Sequence, residues 1–242
     1  MLGLPDTITA CLFDLDGVLT RTAEVHARAW KETFDEFLRT RDQPPFELPR
    51  DYDEYVDGKP RLDGVRSFLR SRAIELPEGA PDDPVTAQTI HALGTRKNEL
   101  VLKLIRADGV EVYEGSVRYV QAARDAGLRR AVVSSSANCR EVLQAAGIEH
   151  LFEAVVDGVV AQREGLRGKP APDMFLFGAR QLDTEPARAA VFEDALAGVA
   201  AGRAGGFGYV VGVDRTGQAE ALRRHGADIV VQDLAELLEA GA

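Results

Sequence analysis

The sequence predicts an α/β protein built on a doubly wound, mostly parallel sheet that is interrupted early by a helical insert. Three observations predict it. Short β-branched runs alternate with helical stretches through the second half of the chain, the rhythm of parallel strands joined by crossover helices. Each run is continuously apolar rather than alternating, as strands covered on both faces require. A strand of the same character stands near the N-terminus, yet the next convincing one begins near Arg130, whereas a strand–helix–strand unit needs only about 30 residues or a little more.

The first strand is ITACLF, residues 8–13, and it ends on Asp14. The interval after it carries apolar stripes at helical spacing: Val25, Ala29, Trp30, Thr33, Phe34 and Phe37, then Val65, Phe68 and Leu69, then Leu100, Val101, Leu104 and Ile105. Between them, RDQPPFELPRD and LPEGAPDDP read as loops, being rich in proline and charge. A small helical cap is therefore expected over residues 21–112, above the carboxyl edge of the sheet. Residues 1–20 and 113–242 then form the Rossmann-like α/β core. In that core come RRAVVSS, a helix over 139–146, AVVDG, a helix over 172–182, AAVFED, a helix over 195–204, YVVGV, a helix over 219–225, DIVV and a last helix from Leu234. There is no internal repeat and no low-complexity tract.

Composition narrows the function classes. With 242 residues, 45% hydrophobic and 28% charged, the chain can bury one good core and part of a second, which excludes disorder and fibre. Its 29 basic residues face 39 acidic ones, a net charge of -10 that repels polyanions, so nucleic acid is not an expected partner. No run approaches the roughly 18 uninterrupted apolar residues of a membrane span. MLGLPDTITACLFDLDG meets acidic residues before any signal-peptide core has formed, so a cytoplasmic location without membrane attachment is expected. Of two cysteines, Cys11 lies in the first apolar run and reads as a small buried thiol. The four histidines, at 26, 91, 150 and 225, are too scattered for a zinc cluster. A bound metal should be a hard ion held by oxygen.

Open α/β sheets gather functional side chains at the carboxyl ends of their strands, and four places there carry chemistry. Asp14 and Asp16 leave the first strand in FDLDGVLT, with Gly17 allowing the chain to turn away; an i, i+2 pair points both carboxylates to one side. Ser134 ends AVVS and is followed by Ser135, Ser136, Ala137 and Asn138 before a helix, where hydroxyls and backbone N–H groups can hold an anion. Lys169 stands in RGKPAPDMF, between prolines that stiffen the loop, and Glu193 with Asp194 ends AVFED. Each feature has a plainer alternative: a solvated acidic turn, a run of helix-capping serines, a surface lysine, acids at a helix's positive end. Together they make the equipment for moving a phosphoryl group: carboxylates for a divalent cation, a lysine for the phosphoryl oxygens, a carboxylate nucleophile and a second carboxylate as acid and base.

With FDLDGVLT, the Ser134 strand end, the GKPAPD lysine and the FEDALAG acids in that order, the chain resembles the haloacid dehalogenase superfamily of phosphotransferases over essentially its whole length. The resemblance implies that Asp14 is the nucleophile and Asp16 the general acid and base. It implies Mg²⁺ held by Asp14, Asp194, the backbone oxygen of Asp16 and Glu193, with Ser134 and Lys169 on the phosphoryl group. Through TAEVHARAWK, DGKPR and TRKNELVLKLI, the insert is similar to that of the β-phosphoglucomutase-like branch. By that similarity His26 positions Asp16, and Trp30, Gly58, Arg61, Lys97 and Asn98 face a small phosphorylated sugar, with Ser136 and Asn138 on the core side. Arg61 suits a second phosphate because a guanidinium grips phosphate at two points. Simple packing is the alternative for His26 and for Trp30.

The sequence departs from that branch at two positions. Arg21 stands where the family commonly has an acid, and Ala137 where the matching mutases have lysine beside Ser136 and Asn138, which removes one cation from the distal phosphate site. Three functions are compatible with the motifs: a phosphomutase converting β-glucose 1-phosphate to glucose 6-phosphate through an aspartyl phosphate and a sugar bisphosphate, a phosphatase using the same residues with water as acceptor, and a catalytically idle phosphosugar-binding protein. The last is disfavoured, since Asp14, Asp16 and Lys169 are all present. A monomer is expected of a protein whose two parts must hinge.

Overall fold

A computed structural model describes residues 2–239. The chain divides into two compact units, one made of the residues up to Arg21 together with those from Val110 onward, the other of Thr22–Gly109.

In the first unit, β1 (Ala10–Phe13) is buried at every position. The insert unit follows with α1 (Thr22–Arg39), a π-helical turn at Tyr52–Val56, α2 (Arg61–Ser71) and α3 (Ile90–Asp108). The chain then returns to the first unit through α4 (Glu114–Asp125), β2 (Arg129–Val133), α5 (Cys139–Ala145), β3 (Ala154–Val156), α6 (Gly158–Glu164), α7 (Asp173–Gln181), β4 (Ala189–Glu193), α8 (Leu196–Ala204), β5 (Tyr209–Val213), α9 (Ala219–His225), β6 (Ile229–Val231) and α10 (Ala235–Glu239).

The six strands form one sheet in the order β3-β2-β1-β4-β5-β6, and every pairing is parallel. Strand order therefore reverses direction between β1 and β4, the switch point where open α/β sheets leave a crevice beyond the strand ends. In register, Phe13 lies between Val132 and Phe192, so Asp14 emerges beside the ends of β2 and β4. One face of the sheet packs Leu12, Val133 and Val191 against Met174 and Phe175 of α7 and Val199 of α8. On the other, Phe13 stacks on Phe192 at 4.4 Å and meets Tyr119 of α4 edge-on at 6.3 Å.

The insert unit has its own aromatic core. Phe34 stacks on Trp30 at 5.1 Å, lies 4.1 Å from Phe68, and shares Phe46 with it. Predicted stripe residues of α1 and α2 are buried there, from Ala29, Trp30, Thr33, Phe34 and Phe37 to Val65, Phe68 and Leu69. α3 is capped by Thr89, whose hydroxyl accepts the Ala92 N–H at 3.1 Å, which satisfies one of the helix's otherwise unpaired first-turn donors. Its buried face runs through Ile90, Leu93, Lys97, Val101 and Ile105; the expected Leu100 and Leu104 are only partly buried.

Two helices of the first unit carry no clear helical period in the sequence. α4 packs on Gly115, Ser116, Tyr119, Val120 and Ala123, so small residues blur its apolar stripe. α6 starts with GVVA, separated from the AVV of β3 only by its cap Asp157, and two β-branched runs so close together hide the change of period. Among the described residues no helix is long and apolar enough to cross a membrane.

Candidate active site

The centre of the site is a buried ammonium facing acids. Lys169 Nζ donates to Asp14 Oδ1 at 2.5 Å, to Glu193 Oε1 at 2.6 Å and to the Val133 carbonyl at 3.1 Å. Its side chain is fully buried. The loop that delivers it is braced from outside, where the Arg167 guanidinium donates to both oxygens of Asp173, and from inside by Phe175, whose ring lies 4.8 Å from Nζ.

Asp14 is placed by its backbone, which continues the ladder of β1 by donating to Phe192 O at 2.9 Å. Its carboxylate also accepts the backbone N–H of Asp16. Glu193 Oε2 accepts the Ala195 N–H at 2.9 Å. Ligand oxygens of Asp14, Glu193 and Asp194 lie within 4.8 Å of one another, all three residues buried. Two glycines make room for these acids: a side chain on Gly17, which has φ +85°, would overlap the Asp194 carboxylate, and one on Gly198 would overlap that of Glu193.

Two buried carboxylates, those of Asp14 and Glu193, share one buried ammonium, with the buried Asp194 close by, and the electrostatics reflect that crowding. Burial raises Asp14 to about 6, with Lys169 opposing the rise and Asp16 adding to it. Burial likewise raises Glu193 to about 7 against the pull of Lys169. Burial alone would lower the Lys169 ammonium, but the charges of Asp14 and Glu193 outweigh it and hold its pKa above the ordinary value. Such a set of hard oxygen donors has room for further positive charge.

The serine loop begins at the neighbouring strand end. Ser134 N–H donates to Val156 O at 2.9 Å. Ser134 Oγ accepts the Ser136 N–H at 3.1 Å, and Ser136 Oγ accepts the Asn138 N–H at 3.2 Å. The hydroxyls thereby shape the turn into α5, and Ala137 lies between the last two.

A second group of predicted residues comes together within the insert unit. Lys97 Nζ lies 2.9 Å from His26 Nδ1 and 4.8 Å from the centre of the Trp30 ring. An ammonium only donates, so Nδ1 accepts and the neutral imidazole carries its proton on Nε2. Burial, then Lys97, then Arg61 lower the His26 pKa well below its usual value. Arg61 opens α2 just after Gly58, which has φ +68°; its Nε is buried with no hydrogen-bond partner. Trp30 belongs to the aromatic core, and Asn98 lies on α3 next to Lys97.

A family description of haloacid dehalogenase-like hydrolases matches residues 8–206. The chain belongs to that family. Among haloacid dehalogenase-like relatives, a protein named β-phosphoglucomutase from Mycobacterium tuberculosis is 58% identical over 247 residues, spanning 98% of this chain and 94% of that protein. A β-phosphoglucomutase of Bacillus subtilis is 31% identical over 228 residues, spanning 94% of this chain and 91% of its own. The crystal structure of β-phosphoglucomutase from Clostridium difficile shares the fold, with a TM-score of 0.75 at 24% identity over 95% of this chain and 93% of that one.

The geometry adds residues to this haloacid dehalogenase-like site that sequence reasoning did not single out. Arg215 donates to Gly17 O at 2.8 Å and Gln218 donates to Asp194 O at 3.2 Å, both from the loop that follows β5. The available signal was position: YVVGV is a further strand whose carboxyl end falls on the same rim as the acids. Arg21 is engaged at the edge of the core, 3.6 Å from Glu111 and 4.5 Å from the centre of the Tyr113 ring.

Proposed function

We propose that the protein is a Mg²⁺-dependent phosphomutase that interconverts β-glucose 1-phosphate and glucose 6-phosphate through an aspartyl-phosphate enzyme and a sugar bisphosphate. Phosphoryl transfer rests on one observation: a buried carboxylate at a strand end, Asp14, bonded to Lys169 and followed two residues on by a second acid. Preference for a mutase rests on 58% identity to a β-phosphoglucomutase along 98% of the chain.

In this reading an Asp14 oxygen forms a bond to phosphorus as the bond from phosphorus to the sugar oxygen breaks, and Asp16 gives that oxygen its proton. In the reverse transfer a sugar hydroxyl attacks the aspartyl phosphate, Asp16 takes the hydroxyl proton, and Asp14 leaves as a carboxylate. Starting from phosphorylated Asp14, β-glucose 1-phosphate gains a second phosphoryl group at its 6-hydroxyl. The bisphosphate then returns its 1-phosphoryl group to Asp14, releasing glucose 6-phosphate. Ser134 and Lys169 hold the phosphoryl oxygens. Asp14, Asp194 and the Asp16 carbonyl would hold Mg²⁺ beside Glu193, whose oxygens already accept from Lys169 and Ala195; bound there, the ion neutralises charge on the transferring group.

In the insert, the unpartnered Arg61 Nε suits the second phosphate, while Gly58, Lys97 and Asn98, with Ser136 and Asn138 of the core, bind the remainder of the sugar phosphate. Trp30 supports them through its contact with Lys97. His26 helps to position Asp16 and delays loss of the aspartyl phosphate until sugar is bound, a conformational gate rather than new chemistry. The enzyme works as a cytoplasmic monomer without nucleic-acid or membrane partners.

The test supplies β-glucose 1-phosphate, Mg²⁺ and a trace of glucose 1,6-bisphosphate, and follows glucose 6-phosphate against inorganic phosphate. Inorganic phosphate dominating at every substrate level would overturn the mutase reading. It would favour the second one, a phosphatase acting on a small phosphosugar, which Ala137 supports by lacking the cation that the matching mutases place there.

A further inference from the structure

Arg215 is held in a geometry that serves the catalytic turn. β5 ends at Val213, and Asp214 Oδ1 then accepts the N–H groups of Thr216, Gly217 and Gln218. The loop is thereby stiffened, and Arg215 is aimed toward β1. Its Nε donates to Gly17 O at 2.8 Å, its Nη1 donates to Gln232 O at 2.5 Å and lies 3.8 Å from Asp233 Oδ2, and its guanidinium stacks 3.5 Å from the Tyr113 ring centre. Nη2 is buried without a partner. A largely buried guanidinium that leaves one donor unsatisfied is costly, so its retention calls for a gain elsewhere.

That gain lies in the segment from Asp14 to Thr20. Gly17 N–H donates to Thr20 O, and Leu19 and Thr20 both donate to Leu15 O, which closes the turn on itself. Gly17 has φ +85° and stands against Asp194, a conformation that glycine adopts without a side chain to hold it. Within this turn Gly17 O receives the Arg215 Nε–H, and that carbonyl belongs to the residue after Asp16. We infer that Arg215 is a positioning residue for phosphoryl transfer: its grip on the Gly17 carbonyl fixes the Asp16–Gly17 backbone and so holds the Asp16 carboxylate in register with Asp14. The inference rests on the phosphoryl-transfer reading above and adds to it a residue outside the family's four motifs.

The role has a signature that packing lacks. An acid is needed when the leaving oxygen must be protonated, as with a sugar, and is not needed when it departs as a stable anion, as acetate does from acetyl phosphate. Arg215→Met keeps the stem beside Tyr113 and removes every donor; Arg215→Lys restores a cationic donor group. For the methionine variant kcat on β-glucose 1-phosphate should fall about 100-fold, the scale of a misplaced catalytic group, with KM within about 2-fold. Aspartyl phosphorylation by acetyl phosphate should fall less than about 3-fold on the same grounds. Arg215→Lys should recover part of the loss, and it carries the same comparison where the methionine variant does not fold.

Equal losses on both donors, a change in KM alone, or no loss would overturn the inference. Wild-type protein that transfers phosphoryl groups from neither donor would overturn the functional reading, and this inference with it. Where wild type accepts only the sugar phosphate, the split between kcat and KM together with the lysine rescue decides. Formation of inorganic phosphate in place of glucose 6-phosphate would exclude the mutase but leave the role of Arg215 standing.

Discussion

Replacing Lys169 by methionine removes the counter-charge from a buried set of carboxylates while keeping much of the stem's volume. Three donor contacts vanish, at 2.5 Å to Asp14, 2.6 Å to Glu193 and 3.1 Å to Val133 O. Breaking a buried ion pair from one side costs about 3–5 kcal/mol, because uncompensated charge remains. At about 2–4 °C per kcal/mol for a chain of this size, melting should fall by about 6–20 °C. Protons soften the loss. Asp14 and Glu193 lie at about 6 and about 7 with the lysine present, and its removal raises both further above their unfolded values. For a carboxylate raised on folding, stability is greatest at low pH and declines as pH rises through the window between the two values. The deficit of the variant should therefore be larger at about pH 8 than at about pH 5.5. The assay is thermal melting of wild type and variant in EDTA at both pH values, then with saturating Mg²⁺ at the higher one, where added positive charge should recover part of the deficit. A variant melting within about 2 °C of wild type at the higher pH in EDTA would refute the claim that Lys169 balances these acids.

Asp14→Asn should abolish both glucose 6-phosphate and inorganic phosphate production, since an amide does not replace the carboxylate nucleophile; retained turnover in either assay removes Asp14 from that role. Because the folded state holds His26 neutral, with its pKa lowered by burial, Lys97 and Arg61, its contribution to stability is present above the unfolded histidine value and is lost as pH falls below it. The stability of wild type minus that of His26→Gln should thus drop by up to about 1.4 kcal/mol per pH unit below about pH 6.5, less in proportion to solvent access to the ring. Chemical denaturation between about pH 5 and 7 measures the difference, and a flat difference counts against a neutral His26. Gly17→Ala, which forces a side chain to φ +85° against the Asp194 carboxylate, should lose about 1–2 kcal/mol from the backbone alone. It should also weaken Mg²⁺ binding in calorimetric titration, and wild-type affinity would mean that the turn has more slack than its geometry implies.

What could be read from the sequence and what could not separate along one physical line. The acids at the ends of β1 and β4 were legible because each follows a continuous apolar run, and a carboxylate directly after a buried strand stands at the edge of a low-dielectric interior by construction. The all-parallel sheet was legible for the same reason. Lys97 was legible only through the likeness of TRKNELVLKLI, since periodicity assigns a lysine to solvent, while α3 turns it inward beside Trp30 and His26. Arg215 escaped altogether. In both cases burial is made tolerable by partners distant in the chain, 71 residues away for Lys97 and His26 and 198 for Arg215 and Gly17, and no local pattern encodes such a pairing. Lys169, paired with Asp14 across 155 residues, would have escaped as well had its loop not matched a motif. Buried cations far from their partners are the places where local preference is overruled by the folded whole, and sequences tolerate that conflict chiefly where function requires it. By that criterion the loop after β5 stands beside the motif-bearing loops: Arg215 and Gln218 reach from it to the backbone of Gly17 and Asp194, next to acids that the sequence could only show to be near.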